Sequence, residues 1–137
     1  MKGFLLDTNI VAEIRKRNPH GAVSSWFAAV PAHEMFLPAV VLAELQAGVE
    51  ITRGQDPAKA LEIEEWISRI TATYEVLPMT GACFCEYARL IHRRSDVLRE
   101  DAMIAATAQV HGLTVATRNE RDFEPFGVRV FNPFRTG

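Results

Sequence analysis

An α/β fold built on a parallel sheet is predicted by two features of the sequence. Short apolar runs that read as strands (Phe4-Leu5-Leu6, Met35-Phe36-Leu37, Tyr74-Glu75-Val76-Leu77 and Leu113-Thr114-Val115-Ala116) alternate with longer stretches of helical periodicity. Two of these runs, the first and the last, end in a hydroxyl, an amide and an acid: Asp7-Thr8-Asn9, and Thr117 to Asp122. In an open parallel sheet, ligands collect at the carboxyl ends of the strands, so both clusters fall where chemistry is usually done. At 137 residues the chain fits one domain, 1–137, with no internal repeat, and it is long enough to bury a core.

Composition narrows the class. With 48% hydrophobic and 23% charged residues the chain reads as soluble, and no apolar run approaches the roughly 20 residues of a membrane helix. Only a brief apolar stretch follows Lys2, so no secretory signal and no membrane partner are expected. Cys83 and Cys85 stand two apart on a predicted helix and point in different directions, which disfavours a disulfide and suits a cytoplasmic location. A net charge of -2 excludes binding of nucleic acid by bulk electrostatics but leaves room for a local basic surface.

In chain order, Phe4-Leu5-Leu6 is a short buried strand, and Asp7 at its end suits either a helix N-cap or an oxygen-rich site. Asn9 to Arg17 carries Ile10, Val11 and Ile14 at helical spacing and ends in a basic turn before Asn18-Pro19. A helix fits Gly21 to Val30 and is closed by Pro31; Met35 to Leu37 is a strand stopped by Pro38. Ala39 to Thr52 and Ala58 to Thr73 form a helical hairpin about the Gly54-Gln55-Asp56-Pro57 turn. On the first of these, Glu44 has Val40, Val41, Ala47 and Gly48 one turn away, an apolar setting in which a carboxylate needs a facing cation, unless the helix emerges there into a wet crevice. The second arm has more apolar residues than one face needs, so either Trp66 fills the core or part of the helix meets another subunit.

Tyr74 to Leu77 is a third strand, followed by a helix capped by Thr80 and running through Ala82 to Arg94. The next helix begins near Arg99-Glu100-Asp101 and ends at Gly112, with alanines that allow close approach to a sheet; Asp101 lies on its inward face, which the helix dipole alone does not explain. Leu113 to Ala116 is a buried strand, and Phe126 to Phe131 is the last one. The histidines His20, His33, His92 and His111 have no partners at metal-site spacing, which disfavours zinc.

Asp7, Glu44, Asp101 and Asp122 are thereby expected to converge with hydroxyls and amides around them. Two crowded carboxylates could share a proton as an acid–base pair. Four oxygen-rich groups without His or Cys suit magnesium or manganese better, and one or two such ions can activate water on a phosphodiester.

Leu5-Leu6-Asp7-Thr8-Asn9, Ala43-Glu44-Leu45, Asp101 to Ala108, and Ala116-Thr117-Arg118-Asn119 through Asp122-Phe123 resemble the successive motifs of PIN-domain ribonucleases, most of all the VapC-type toxins and their FitB-like members. The resemblance extends to Val130-Phe131-Asn132-Pro133 and implies an α/β/α sandwich with a central parallel sheet and a helical hairpin. It also implies a homodimer, Mg2+ or Mn2+ in an acidic pocket, cleavage of RNA (often tRNA or rRNA), and a cognate antitoxin through which alone the protein would meet DNA. By position, Asp7, Glu44 and Asp101 would be metal ligands and Thr8 would orient Asp7 or a water. Asn119 and Asp122 share the fourth role, Asp122 as the acid, and Thr117 assists. Activated water would attack the phosphodiester in line without a covalent enzyme intermediate, since no well-placed Ser or Cys competes. Arg15, Arg93, Arg94, Arg99, Arg118 and Arg121 are candidates for holding the RNA backbone.

Two rivals remain at this level. A phosphatase of the haloacid-dehalogenase kind wants a second Asp two residues after the first, where this chain has Asn9, and a later lysine that it lacks. A largely non-catalytic partner of a DNA-binding antitoxin, acting in an operator complex, would have no use for a full set of acids, and buried unused carboxylates are destabilising.

Overall fold

In the computed structural model, which describes residues 3–135, the strand Phe4–Leu6 (β1) is the middle of a five-stranded sheet. Its companions are Met35–Pro38 (β2), Glu75–Leu77 (β3), Thr114–Ala116 (β4) and Val130–Phe131 (β5), in the spatial order β3-β2-β1-β4-β5 with every neighbouring pair parallel. The chain walks outward from β1 to β2 and β3, then returns to pair β4 with the open side of β1. The reversal makes the β1–β4 edge the topological switch point, where a crevice opens at the carboxyl ends of the strands. Right-handed crossovers put the outward and returning helices on opposite faces, which gives the expected α/β/α sandwich.

Helix α1 (Thr8–Arg15) follows β1 directly and buries Ile10 and Val11, the apolar residues at helical spacing; α2 (Gly21–Ala29) contributes Val23. The hairpin consists of α3 (Ala39–Arg53) and α4 (Pro57–Thr73). Its arms are tied where Arg53 meets Glu64 at 2.8 Å and where Gln46 donates to Glu64 at 3.0 Å. Trp66 is half-buried against the core, with the Arg15 guanidinium 5.9 Å from its ring centroid. The surplus of apolar residues persists on the surface: Ile51 and Leu61 are 69% and 57% exposed.

After β3 come α5 (Gly81–Ile91), capped by the Thr80 hydroxyl as its sequence predicts, and α6 (Arg99–His111). On α6, Ala102, Ala105, Ala106 and Ala108 are buried, and the small side chains let the helix lie close to the sheet. Gly112, at φ +67°, ends α6 in the left-handed conformation that glycine adopts without strain.

Three expectations change. Helix α5 stops at Ile91 and does not reach Arg94, because His92 turns extended and Arg93 takes a left-handed φ of 59°. The segment after β4 forms a one-turn helix, α7 (Glu120–Phe123), which the sequence reading passed over. The last strand begins at Val130 instead of Phe126: Glu124–Phe126 is a 3-10 turn closed by Gly127 at φ +67°, and Phe126 is drawn into the core beside Phe123, their ring centroids 6.3 Å apart. Among the described residues no helix is long and apolar enough to cross a membrane.

Candidate active site

Asp7 stands at the switch point, 5% exposed, and both readings of it hold at once. Its Oδ1 accepts the Thr8 N–H at 2.8 Å, capping α1, while its Oδ2 accepts the Thr117 hydroxyl at 2.8 Å and the Asn9 amide at 3.0 Å. The backbone frames it too, since the Asp7 N–H donates to the Ala116 carbonyl. A carboxylate has about four lone-pair sites, so three are filled by the fold and one is left for a ligand.

Thr117 follows β4 as Asp7 follows β1. Fully buried, it donates to Asp7 and accepts the Asn119 N–H at 3.0 Å. Asn9 completes the link: its amide reaches Asp7 and, at 3.4 Å, Thr117, and its carbonyl oxygen accepts the Arg118 N–H at 3.0 Å. Asn9 went unassigned from sequence, although the repeated hydroxyl and amide after two apolar strands was the available signal.

Asp101 arrives from the first turn of α6 and is 9% exposed, on the inward face as its spacing predicts. Glu44 corrects expectation. Val41 and Val49 are the buried residues of α3, whereas Ala47 and Gly48 are exposed, so the face carrying Glu44 emerges at the crevice and the residue is solvent-exposed. Its Oε1 accepts the Thr8 hydroxyl at 2.6 Å, so Thr8 reaches Glu44 by its side chain and Asp7 by its backbone N–H. Asp122 and Asn119 lie exposed on and before α7, lining a cavity of about 400 Å³ with Arg118 and Arg121.

The four acids sense one another. Burial, followed by the charges of Asp7, Asp122, Glu44 and Glu100, pushes the Asp101 carboxyl up to about 7. Burial also raises Asp7, with Asp122 adding to it against the three hydrogen bonds that lower it. Partial desolvation raises Glu44, helped by Asp7 and Glu100 and opposed by Thr8. Glu100 is thus a fifth acid at the site that sequence reasoning left aside. None of the ion pairs among the described residues involves Asp7, Glu44, Asp101 or Asp122.

This donor set fits a hard divalent cation, being all oxygen, without His or Cys, and engaged in no ion pair among the described residues. Among the described residues no three His, Cys, Asp or Glu groups are gathered into a ready-made cluster. Besides burial, the neighbouring charges raise the Asp101 and Asp7 carboxyls, and a cation bound among them would offset that repulsion.

Of the remaining arginines, Arg15 sits at the far end of α1, about 12 Å from Asp7 by helical rise, and is occupied by Trp66. Arg94 and Arg99 line a separate cavity of about 300 Å³ after α5. Arg93 occupies the left-handed turn between them and α5.

Fold and site together define a PIN domain, and residues 4–127 match that family: the chain belongs to it. It is 34% identical to the plasmid stability protein StbB of Pseudomonas syringae pv. tomato and 32% identical to the toxin FitB of Neisseria gonorrhoeae, covering 96% of this chain and 98% of each relative. The VapC ribonuclease Y4jK of Sinorhizobium fredii is 31% identical over 96% of this chain and 97% of its own. Among solved structures, FitAcB from Neisseria gonorrhoeae superposes with a TM-score of 0.88 at 30% identity, covering 97% of this chain and 99% of that one. FitAB bound to the IR36 DNA fragment gives 0.82 at 29% identity, covering 98% and 97%.

Proposed function

We propose that the protein is a metal-dependent endoribonuclease and the toxin of a toxin–antitoxin pair. The observation that carries this reading is Asp7, buried at the switch point and held by Thr117 and Asn9, with Asp101 close enough that, besides burial, the charges of Asp7, Asp122 and Glu44 help push its carboxyl up to about 7. A relative named VapC ribonuclease and another named toxin FitB, each matched over nearly its whole length, supply the class of substrate and the biological role.

Asp7, Asp101 and Glu44 would hold Mg2+ or Mn2+, with Asp122 as a fourth ligand across the crevice; the bound ion supplies charge neutralisation at the phosphate and a more acidic water. The chain's own residues do the rest. Thr117 and Asn9 fix the Asp7 carboxylate through its Oδ2. Thr8 holds Glu44 by its hydroxyl, and Asn119, hinged on Thr117, offers an amide at the lip. Asp101, whose carboxyl burial and the neighbouring acids push up to about 7, would release that proton as a bound cation offsets the repulsion, which frees it as a ligand.

Exposed Ile51, Leu61 and Phe84 give a second copy apolar surface to cover, which favours a homodimer. The DNA-bound FitAB neighbour favours an antitoxin partner that carries any contact with DNA. The deciding test is cleavage of a tRNA and rRNA panel by protein freed of bound antitoxin, with Mg2+ or Mn2+ against chelator, beside Asp7→Asn. Metal-dependent cutting at defined sites, lost in the variant, is expected; cutting that survives Asp7→Asn contradicts the reading. Absence of both cutting and calorimetric metal binding would favour the operator-complex role.

A further inference from the structure

Resting on the nuclease reading, we propose that Arg118 seats a backbone phosphate of the RNA beside the bond that is cut, with Phe134 and Asn9 holding the arginine in place. The backbone supplies the register. The Arg118 N–H donates to Asn9 Oδ1 at 3.0 Å, and the amide of the same Asn9 donates to Asp7 Oδ2 at 3.0 Å, so one side chain separates this residue from the central acid. A shift of the loop after β4 therefore moves Arg118 and the Asp7 contact together.

The side chain is held as well. The Arg118 guanidinium carbon lies 4.7 Å from the centroid of the Phe134 ring, which itself packs against His20 with centroids 5.2 Å apart. Such a contact over the ring face engages the flat face of the guanidinium and leaves its N–H groups free at the edges. Those edges are the part that grips a phosphate by two parallel hydrogen bonds.

The surroundings select an anion. In the cavity of about 400 Å³ beside Arg118, Arg135 and Glu120 pair at 2.8 Å, and Glu120 also accepts the Asn132 amide at 3.0 Å, so these two charges cancel. Arg118 and Arg121 are left, and among the described residues neither forms an ion pair. Asp122 lines the same cavity. Arg118 and Arg121 thus stand in one cavity with Asp122 and offset its repulsion of a polyanion where the strand must enter.

The test uses a short single-stranded RNA spanning a cut site found in the tRNA and rRNA panel. Arg118→Ala should raise KM about tenfold and leave kcat within about twofold, the pattern of lost binding shared by ground and transition states. It should also lower the slope of log binding against log salt by about 0.7, one phosphate contact on a single strand. Arg118→Lys should keep the salt slope and recover only part of the KM, because an ammonium lacks the planar fork.

The sharper arm replaces one phosphate at a time with a neutral methylphosphonate, methylating the adjacent 2′-hydroxyl to keep the linkage intact. At one linkage next to the cut bond, neutralisation should weaken the unsubstituted protein about tenfold and Arg118→Ala hardly at all. Equal effects of every neutral linkage on both proteins would overturn the proposal. So would a fall in kcat with an unchanged KM. If the unsubstituted protein cuts no RNA, it is the nuclease reading that falls, and this seat with it.

Discussion

At the residue scale, Asp7 and Asp101 carry charges that the rest of the protein does not neutralise, and two outcomes follow. Thr117→Val removes the hydroxyl that fixes Asp7 Oδ2 and should cut RNA cleavage about 10–100-fold, the usual cost of losing a group that orients a metal ligand, while circular dichroism stays unchanged. The second outcome concerns pH. Asp101 binds its proton up to about pH 7 in the folded chain, against the ordinary 3.8 when unfolded. Between those values the folded state holds more protons, so stability of the metal-free protein falls as pH rises through the window, and it is recovered on acidification. Burial acts in the same direction on Asp7 and Glu44. Melting temperatures at pH 5 and pH 8 should differ in favour of pH 5, and Asp101→Asn should flatten the difference. A melting curve indifferent to pH in the unsubstituted protein would contradict the repulsion described here.

At the element scale, the boundaries that sequence fixed well are those with a local cause. Asp7 and Thr80 cap their helices with their own side chains, and Gly112 ends α6. Gly112→Ala meets no steric neighbour but must hold φ +67° with a Cβ, so it should cost about 1 kcal/mol, read as a lower midpoint in urea. The boundaries that went astray have tertiary causes. Nothing in Phe126-Gly127-Val128 says that Phe126 will be claimed by the core beside Phe123, which shortens β5. Asp101 was readable because a helix with buried alanines on all sides leaves its acid little room to be elsewhere. Glu44 was misread because the apolar residues around it, Ala47 and Gly48, are small enough to sit in water. Asn9 is the clearest omission: two of its three bonds reach residues more than a hundred positions away, so only the repeated hydroxyl and amide after β1 and β4 hinted at them.

For the whole molecule, the parallel order β3-β2-β1-β4-β5 sets Asp7 at the switch point, where its charge and those of Glu44 and Asp122 reach Asp101. Adding Mg2+ or Mn2+ should therefore stabilise the fold, by about 2.7 kcal/mol at a hundredfold excess over the dissociation constant. The shift should saturate in a thermal melt and vanish in Asp7→Asn/Asp101→Asn. A melt unmoved by either ion would remove the metal from the proposal. The placement of β4 has a further consequence for when the enzyme exists. β1 is made first, but the strand that closes over Asp7, and the threonine that holds it, come near the end of translation. A growing chain on the ribosome carries Asp7, Glu44 and eventually Asp101 without the wall that assembles them. Under the proposed nuclease function, cutting would therefore begin only once β4 and Thr117 have been made and have docked on β1.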